Sequence, residues 1–235
     1  MKKRLFDIVA SALGLTLLSP LILGAMLLVW SQDRHSPLYI SRRIGRHGRS
    51  FPIVKIRSMV VAADRTGVSS TAATDLRITP IGHFIRRWKL DELTQLYNVL
   101  TGDMSLVGPR PNTANEVALY TPEQRRLLSV RPGITDFASI VFSDEGEVLR
   151  DSDDPDQLYR DIIWPWKSEL GLLYVDHRHL SLDLKLIFIT AAAIFDRPRA
   201  LRMLQPALAR LGASPQAMMV AARETDLRLL MQSGQ

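Results

Sequence analysis

The chain has 235 residues, enough for one sizeable domain with appendages. Its 46% hydrophobic content and mean hydropathy of +0.02 are high for a soluble protein and low for a multi-span one, which points to a soluble domain carrying one membrane element. Thirty Lys+Arg against 24 Asp+Glu leave a net charge of +6, suited to anionic lipid, nucleic acid or a phosphorylated substrate, and the lack of Cys excludes disulfides and thiolate metal sites.

Lys2, Lys3 and Arg4 lead into an uncharged stretch over 8–32, about 25 residues and long enough to span a bilayer. No small-residue cleavage site follows it, which disfavours a removable signal peptide. Ser19-Pro20 interrupts the middle: proline removes a helix hydrogen bond and kinks the chain, and a serine can re-satisfy the freed carbonyl. Basic residues flank the stretch at 2–4 and at 34–49. If both flanks favour the cytoplasm, a helix over 1–32 that bends and returns fits better than one that crosses. Asp7 is expected to pair with Lys3 or Arg4.

Leu38-Tyr-Ile40 and Pro52-Ile-Val-Lys-Ile56 read as two short strands joined around Gly45 and Gly48, with Arg42, Arg43, Arg46 and Arg49 beside them. Such a basic hairpin suits anionic headgroups. Lys55 and Arg57, two apart on a strand, point the same way and could face a diphosphate together. Residues 60–79 are rich in Ala, Thr, Ser and Gly and contain a loop near Gly67–Thr74. Thr79 then caps a helix with Pro80 as its first residue. That helix is amphipathic, with Phe84, Ile85 and Trp88 beside Arg86 and Arg87, and suits either a domain surface or a membrane interface.

The densest segment is 89–111. Asp91 and Glu92 stand together, Leu90, Leu93, Leu96 and Leu100 follow at helical spacing, and Gly102 is a stop. Acids in a first helical turn are ordinarily partners of the dipole, and the same N–H groups favour phosphate. Gly108-Pro109-Arg110-Pro111 makes a stiff turn presenting one guanidinium, although Pro-Arg-Pro alone is ordinarily a surface turn. Together they suit chemistry on a phosphate ester. Downstream, Thr121 opens a helix running to Val130. Asp144, Glu145 and Glu147 read as solvated loop acids. Asp151-Ser-Asp153 has the spacing of a glycosyltransferase metal motif but follows no apolar strand. Helices are expected over 159–173 and 174–187, with His177 and His179 as surface residues, and a basic helical extension covers 198–235.

These segments resemble the bacterial sugar transferases, the monotopic polyprenyl-phosphate phosphoglycosyltransferases of the small single-function type. The likeness is carried by Lys3-Arg-Leu-Phe-Asp7, Ser19-Pro20, Lys55-Ile-Arg-Ser-Met59, 75–82, 89–111, Pro132-Gly-Ile-Thr135 and 174–187, and runs to about Arg197. Lys89 replaces the usual Ser or Thr, Thr94 the usual Pro, Ile56 a Phe, and Ser143 stands where an Arg is often found. The resemblance implies an α+β protein: a mostly helical domain over 33–197 with a short β-hairpin, on the cytoplasmic face of the bacterial inner membrane. A re-entrant helix broken at Ser19-Pro20 and interfacial amphipathic helices anchor it. It implies transfer of a sugar 1-phosphate from a UDP-sugar to undecaprenyl phosphate, releasing UMP through a covalent intermediate on Asp91 and starting lipid-linked glycan assembly. Glu92, with Asp91, would hold Mg²⁺, while Lys55, Arg57, Arg110 and Pro111 would bind phosphate. The order of the two acids comes from the resemblance alone. Anionic lipids, a homo-oligomer and downstream glycosyltransferases are further implied partners. Nucleic acid is not, since no helix-turn-helix or aromatic RNA-binding pattern is present. Two other readings stay open: a non-catalytic membrane-surface scaffold, and a metal-dependent glycosyltransferase releasing UDP.

Overall fold

A computed structural model describes residues 2–224 and Leu227. They form two compact units: one contains the chain up to Ala63 together with Leu76–Ile134, the other Asp64–Asp75 and the chain from Thr135 onward. Helices dominate both, and the strands form two small sheets.

The first unit begins with α1 (Lys2–Asp33), a continuous helix with Pro20 inside it. At about 1.5 Å per residue it is roughly 48 Å long, more than a hydrocarbon core. Pro20 has no N–H for the Thr16 carbonyl, and Ser19 Oγ donates to that carbonyl at 2.8 Å. The acceptor that the proline orphans is therefore satisfied within the helix, as the Ser-Pro pair predicts. Leu5, Leu13, Leu17, Leu23 and Leu27 are exposed, whereas Ile22, Ala25 and Val29 are buried with Ile56, Ile85 and Leu90 in one apolar cluster.

Both ends of α1 are bonded to the same unit. Near its start, Arg4 donates to the carbonyls of Val99 at 2.6 Å and Leu100 at 2.9 Å, and Lys3 Nζ to that of Val107 at 3.2 Å. Cations suit the carbonyl-rich end of a helix, which here is the end of α3 (Gln95–Thr101). Asp7 is buried and, instead of pairing with Lys3 or Arg4, accepts from Ser105 Oγ at 2.9 Å and the Leu106 N–H at 3.2 Å. At the far end, Asp33 receives both Arg57 terminal nitrogens at 2.7 Å.

The hairpin is longer than its apolar residues suggest: β1 (Leu38–Ile44) pairs antiparallel with β2 (Ser50–Ile56), and Tyr39 lies opposite Lys55. Thr79 caps α2 (Pro80–Arg87) by accepting from the Gly82 N–H at 2.9 Å, as expected. The helix expected from Leu90 does not form as one α-helix. Lys89 adopts a left-handed φ of 55°, Leu90–Glu92 form a 3₁₀ turn, and α3 starts at Gln95. Bonds from Glu92 N–H to the Lys89 carbonyl and from Leu93 N–H to that of Leu90 tighten this stretch to i→i+3 spacing. Gly102, with φ 100°, ends α3 as predicted. A second two-stranded sheet pairs β3 (Ser105–Val107) with β4 (Gly133–Thr135), with α4 (Ala114–Ala118) between them in sequence. The helix expected from Thr121 to Val130 is a 3₁₀ run over Gln124–Ser129.

The second unit is helical: α5 (Phe137–Val141), α6 (Glu145–Val148), α7 (Pro155–Leu158), α8 (Trp164–His177), α9 (Leu180–Phe195), α10 (Arg197–Arg210) and α11 (Pro215–Ala222). Phe137, Ile140, Leu170, Leu186, Leu204 and Leu208 are buried in it. The closing helix breaks at Arg178-His179, where His179 Nδ1 caps α9 by accepting from the Leu182 N–H at 3.0 Å; His177 and His179 are exposed, as expected. The loop acids are less free than predicted. Asp144 bonds Arg197 at 2.9 Å and Arg223 at 2.5 Å, Glu145 pairs with Lys167, and Arg197 Nε donates to Ser143 Oγ at 3.0 Å. The extension is folded as far as it is described, with α10 and α11 packed on α9, α8 and α5.

Candidate active site

Four segments of the first unit converge on the acid pair. The edge of β2 that has no partner strand among the described residues faces α3 and the preceding Thr94, whose side chains bond it. Asn98 Oδ1 accepts from the Val54 N–H at 3.0 Å and its Nδ2 donates to the Pro52 carbonyl at 2.7 Å, while Thr94 Oγ1 donates to the Val54 carbonyl at 3.0 Å. This fixes β2, and Lys55 with it, against the 3₁₀ turn. Leu90 anchors that turn in the apolar cluster beneath α1. The left-handed Lys89 lets the chain reverse out of α2 and set Asp91 and Glu92 side by side.

The fourth segment is Gly108-Pro109-Arg110-Pro111. Its backbone crosses that of Gly133 so closely that a Cβ on Gly133 would lie 2.1 Å from the Gly108 nitrogen, and one on Gly108 2.5 Å from the Arg131 carbonyl oxygen. Only glycine fits at either position. The Gly133 N–H bonds the Pro109 carbonyl at 3.0 Å and the Ile44 N–H bonds that of Asn112 at 2.9 Å, so the turn is pinned at both ends. Pro111 is buried, and Arg110 projects to Glu92, its Nη2 donating to Oε1 at 2.6 Å.

The surroundings divide the two carboxylates. Burial alone would push Glu92 up, but the charges of Arg110, Lys89 and Lys55 and the Arg110 hydrogen bond hold it well below the usual range, so Glu92 is firmly ionised. Asp91 is raised instead, first by burial and then by the Glu92 charge, against weaker opposition from Lys55, Arg86 and Lys89. Its carboxylate makes no hydrogen bond or ion pair among the described residues. Lys55 is lowered from 10.5 to about 8, chiefly by burial and then by Arg110, while Glu92 and Asp91 oppose the shift.

Arg57 stands apart from this group. It is 8% exposed, donates Nε to the Ser36 carbonyl at 2.8 Å and holds Asp33 with both terminal nitrogens. Lys55 therefore faces the acids without it, and Arg57 clamps the end of α1. The Asp151-Ser-Asp153 pair lies in a turn, with Asp151 at φ 58° and no strand leading to it. Among the described residues no cluster of three or more His, Asp or Glu is placed to hold a metal. Two residues escaped the sequence reading. Asn98 supports Lys55, and Gln95, one turn past the acids, is buried; its i+3 and i+4 spacing from Glu92 and Asp91 was the available signal.

The model of the family described as bacterial sugar transferase matches residues 1–197. The chain belongs to that family. An uncharacterized sugar transferase, EpsL, of Bacillus subtilis is 35% identical over 192 residues, 82% of this chain and 86% of that protein. The UDP-N-acetylgalactosamine-undecaprenyl-phosphate N-acetylgalactosaminephosphotransferase of Aeromonas hydrophila is 33% identical over 197 residues, 82% of this chain and 43% of the relative. The undecaprenyl-phosphate glucose phosphotransferase of Komagataeibacter xylinus is 38% identical over 197 residues, 81% of this chain and 35% of the relative. The chain thus spans most of EpsL but less than half of the two relatives named for a substrate. The bacterial sugar transferase match contains the acid pair, Lys55 and Arg110, and stops where α10 begins.

Proposed function

We propose that this bacterial sugar transferase moves a sugar 1-phosphate from a UDP-sugar to undecaprenyl phosphate at the cytoplasmic face of the inner membrane, releasing UMP and starting lipid-linked glycan assembly. The observation that carries the reading is the unequal pair: Glu92 locked by Arg110, and Asp91 buried beside it with its carboxylate uncommitted. Neighbouring acids whose environments push them apart take different roles. The uncommitted Asp91 is the nucleophile, which supports the order that sequence alone leaves open.

The donor diphosphate and the lipid phosphate repel each other, and a covalent intermediate separates their encounters. An Asp91 carboxylate oxygen attacks the sugar-linked phosphorus; the bond from that phosphorus to the bridging oxygen breaks, and UMP leaves with the electron pair. A phosphate oxygen of the polyprenyl phosphate then attacks the same phosphorus, the acyl-phosphate bond breaks, and Asp91 returns as a carboxylate. Lys55 and Arg110 stabilise charge on the phosphoryl oxygens. The donor set also fits Mg²⁺ in its usual manner, one or two carboxylates completed by substrate phosphates rather than a protein cage. Asp91 and Glu92 would hold it, and it would supply charge neutralisation of the diphosphate.

The pH profile tests Lys55. Because its ammonium is lowered to about 8, kcat/KM should fall as pH rises through that value and the free enzyme loses a cation. Arg stays charged far above this range, so in Lys55→Arg the alkaline limb should move up by more than a unit. An unmoved limb would remove Lys55 from the phosphate site.

We also propose that α1 enters and leaves the bilayer on the cytoplasmic side. Its two ends are bonded to one unit, through Arg4 and Asp7 at one end and Asp33 at the other. A chain without cysteine makes single-cysteine variants clean reporters. Lys2→Cys and His35→Cys should both resist a membrane-impermeant maleimide in intact cells and react in inverted vesicles. Periplasmic labelling of Lys2→Cys alone would establish a full span.

Nucleotide release decides the reaction. Protein in nanodiscs with Mg²⁺, undecaprenyl phosphate and a panel of UDP-sugars should release UMP from its own donor. UDP would move the chain to the metal-dependent glycosyltransferases, and no release from any donor of a broad panel would favour the scaffold.

A further inference from the structure

Gln95 is 1% exposed, and both ends of its carboxamide lack a hydrogen-bond partner among the described residues. Among the described residues it is the one side-chain amide buried and orphaned at nitrogen and oxygen together. A buried amide of this kind is destabilising unless something fills its bonds. Its immediate neighbours show that the segment can satisfy such groups: Thr94 and Asn98 on either side bond the edge of β2. Gln95 opens α3 directly after the 3₁₀ turn of the acids, three residues after Glu92, the spacing at which side chains in i→i+3 geometry share a face. An amide can donate to a phosphoryl oxygen without adding charge beside two carboxylates.

We propose that Gln95 is a further substrate-contacting residue, whose Nε2 donates to an oxygen of the phosphoryl group while that group is carried at Asp91. The inference rests on the transferase reading above. The amide has no protein partner among the described residues, and substrate supplies one. Its cost in the resting fold and its benefit in the reaction are then two sides of one placement.

A near-isosteric apolar replacement separates the two sides. Gln95→Leu removes the orphaned amide while keeping most of the packing, so the thermal midpoint of the full chain in nanodiscs should stay level or rise. Sugar-phosphate transfer should slow about tenfold to a hundredfold, the worth of one hydrogen bond to a charged group. The UMP burst with donor alone should slow by a similar factor, because the contact is to the group being captured. Gln95→Asn, which keeps the amide but shortens its reach, should fall between. Turnover of Gln95→Leu within twofold of wild type would overturn the proposal and leave a buried water as the amide's partner. A slower variant whose midpoint drops by several degrees would also overturn it, showing that Gln95 serves packing. In both cases wild-type UMP release remains intact. A wild type that releases UDP, or nothing, overturns the transferase reading and this proposal with it.

Discussion

Asp91→Asn should abolish transfer while leaving the fold as stable as before or slightly more so. Asparagine nearly matches the shape of aspartate but cannot form the acyl phosphate, and loss of a covalent nucleophile costs about four orders of magnitude or more. The stability side follows from the direction of the shift. Burial and Glu92 raise Asp91 above its ordinary value, so the folded chain binds a proton there more readily than the unfolded one. Stability therefore falls as pH rises above the ordinary carboxyl range, where the unfolded carboxyl ionises more readily than the folded one, and Asp91 is a net cost there. A neutral amide removes it. The measurement is paired: UMP release and thermal midpoint on the same preparations. More than about one per cent residual turnover would exclude Asp91 as the nucleophile, and a large drop in midpoint would mean that lost activity reports misfolding.

That separation depends on neighbours the sequence reveals unevenly. Local rules served where the partner is local. Thr79 before Pro80 predicts the α2 cap, Gly102 predicts the end of α3, and Ser19 before Pro20 predicts the bond to the Thr16 carbonyl. Each is set by backbone groups within four residues. Long-range partners were not legible. Arg57 looked like a companion of Lys55 because alternate strand residues share a face, yet Asp33, 24 residues earlier, captures it in a two-pronged pair. Asp7 had cations within one turn and instead bonds Ser105 and Leu106, about a hundred residues on. Asp144 looked solvated because its arginines come from far along the chain, Arg197 at the start of α10 and Arg223 just after α11.

The order of the acids shows the same limit. Asp91 and Glu92 are adjacent, so no periodicity distinguishes them, and both look like first-turn dipole partners. Arg110 distinguishes them, 18 residues after Glu92 and fixed by the contact between Gly108 and Gly133. The Pro-Arg-Pro turn was visible in the sequence, but which acid it would choose was not. The 3₁₀ geometry after Lys89 also departs from the regular helix that the leucine spacing suggested, because left-handed Lys89 follows the end of α2 and turns the chain just before Leu90–Glu92.

Arg110→Ala should therefore do more than remove one phosphate contact. The direct loss, a preorganised guanidinium no longer facing charge that builds in the transition state, is worth about a hundredfold to a thousandfold in turnover. The second effect is on protonation. Arg110 is the strongest influence lowering Glu92 against the upward push of burial. Without it Glu92 rises towards Asp91, and two buried neighbouring acids begin to compete for one proton. Glu92 contributes stability above its unfolded value that is lost as pH falls through the depressed folded value, so Arg110→Ala should also lose stability at neutral pH and show less acid dependence below it. In the pH profile the acid limb of kcat/KM should move up, since both carboxylates must be ionised for attack and for phosphate charge control. Arg110→Lys, which restores a point charge without the planar donors, should return the limb most of the way but recover only part of the rate. A slow Arg110→Ala enzyme with an unmoved acid limb would confine Arg110 to substrate contact. A near-normal rate would mean that Lys55 suffices for the phosphate charge and that Arg110 serves only to hold Glu92.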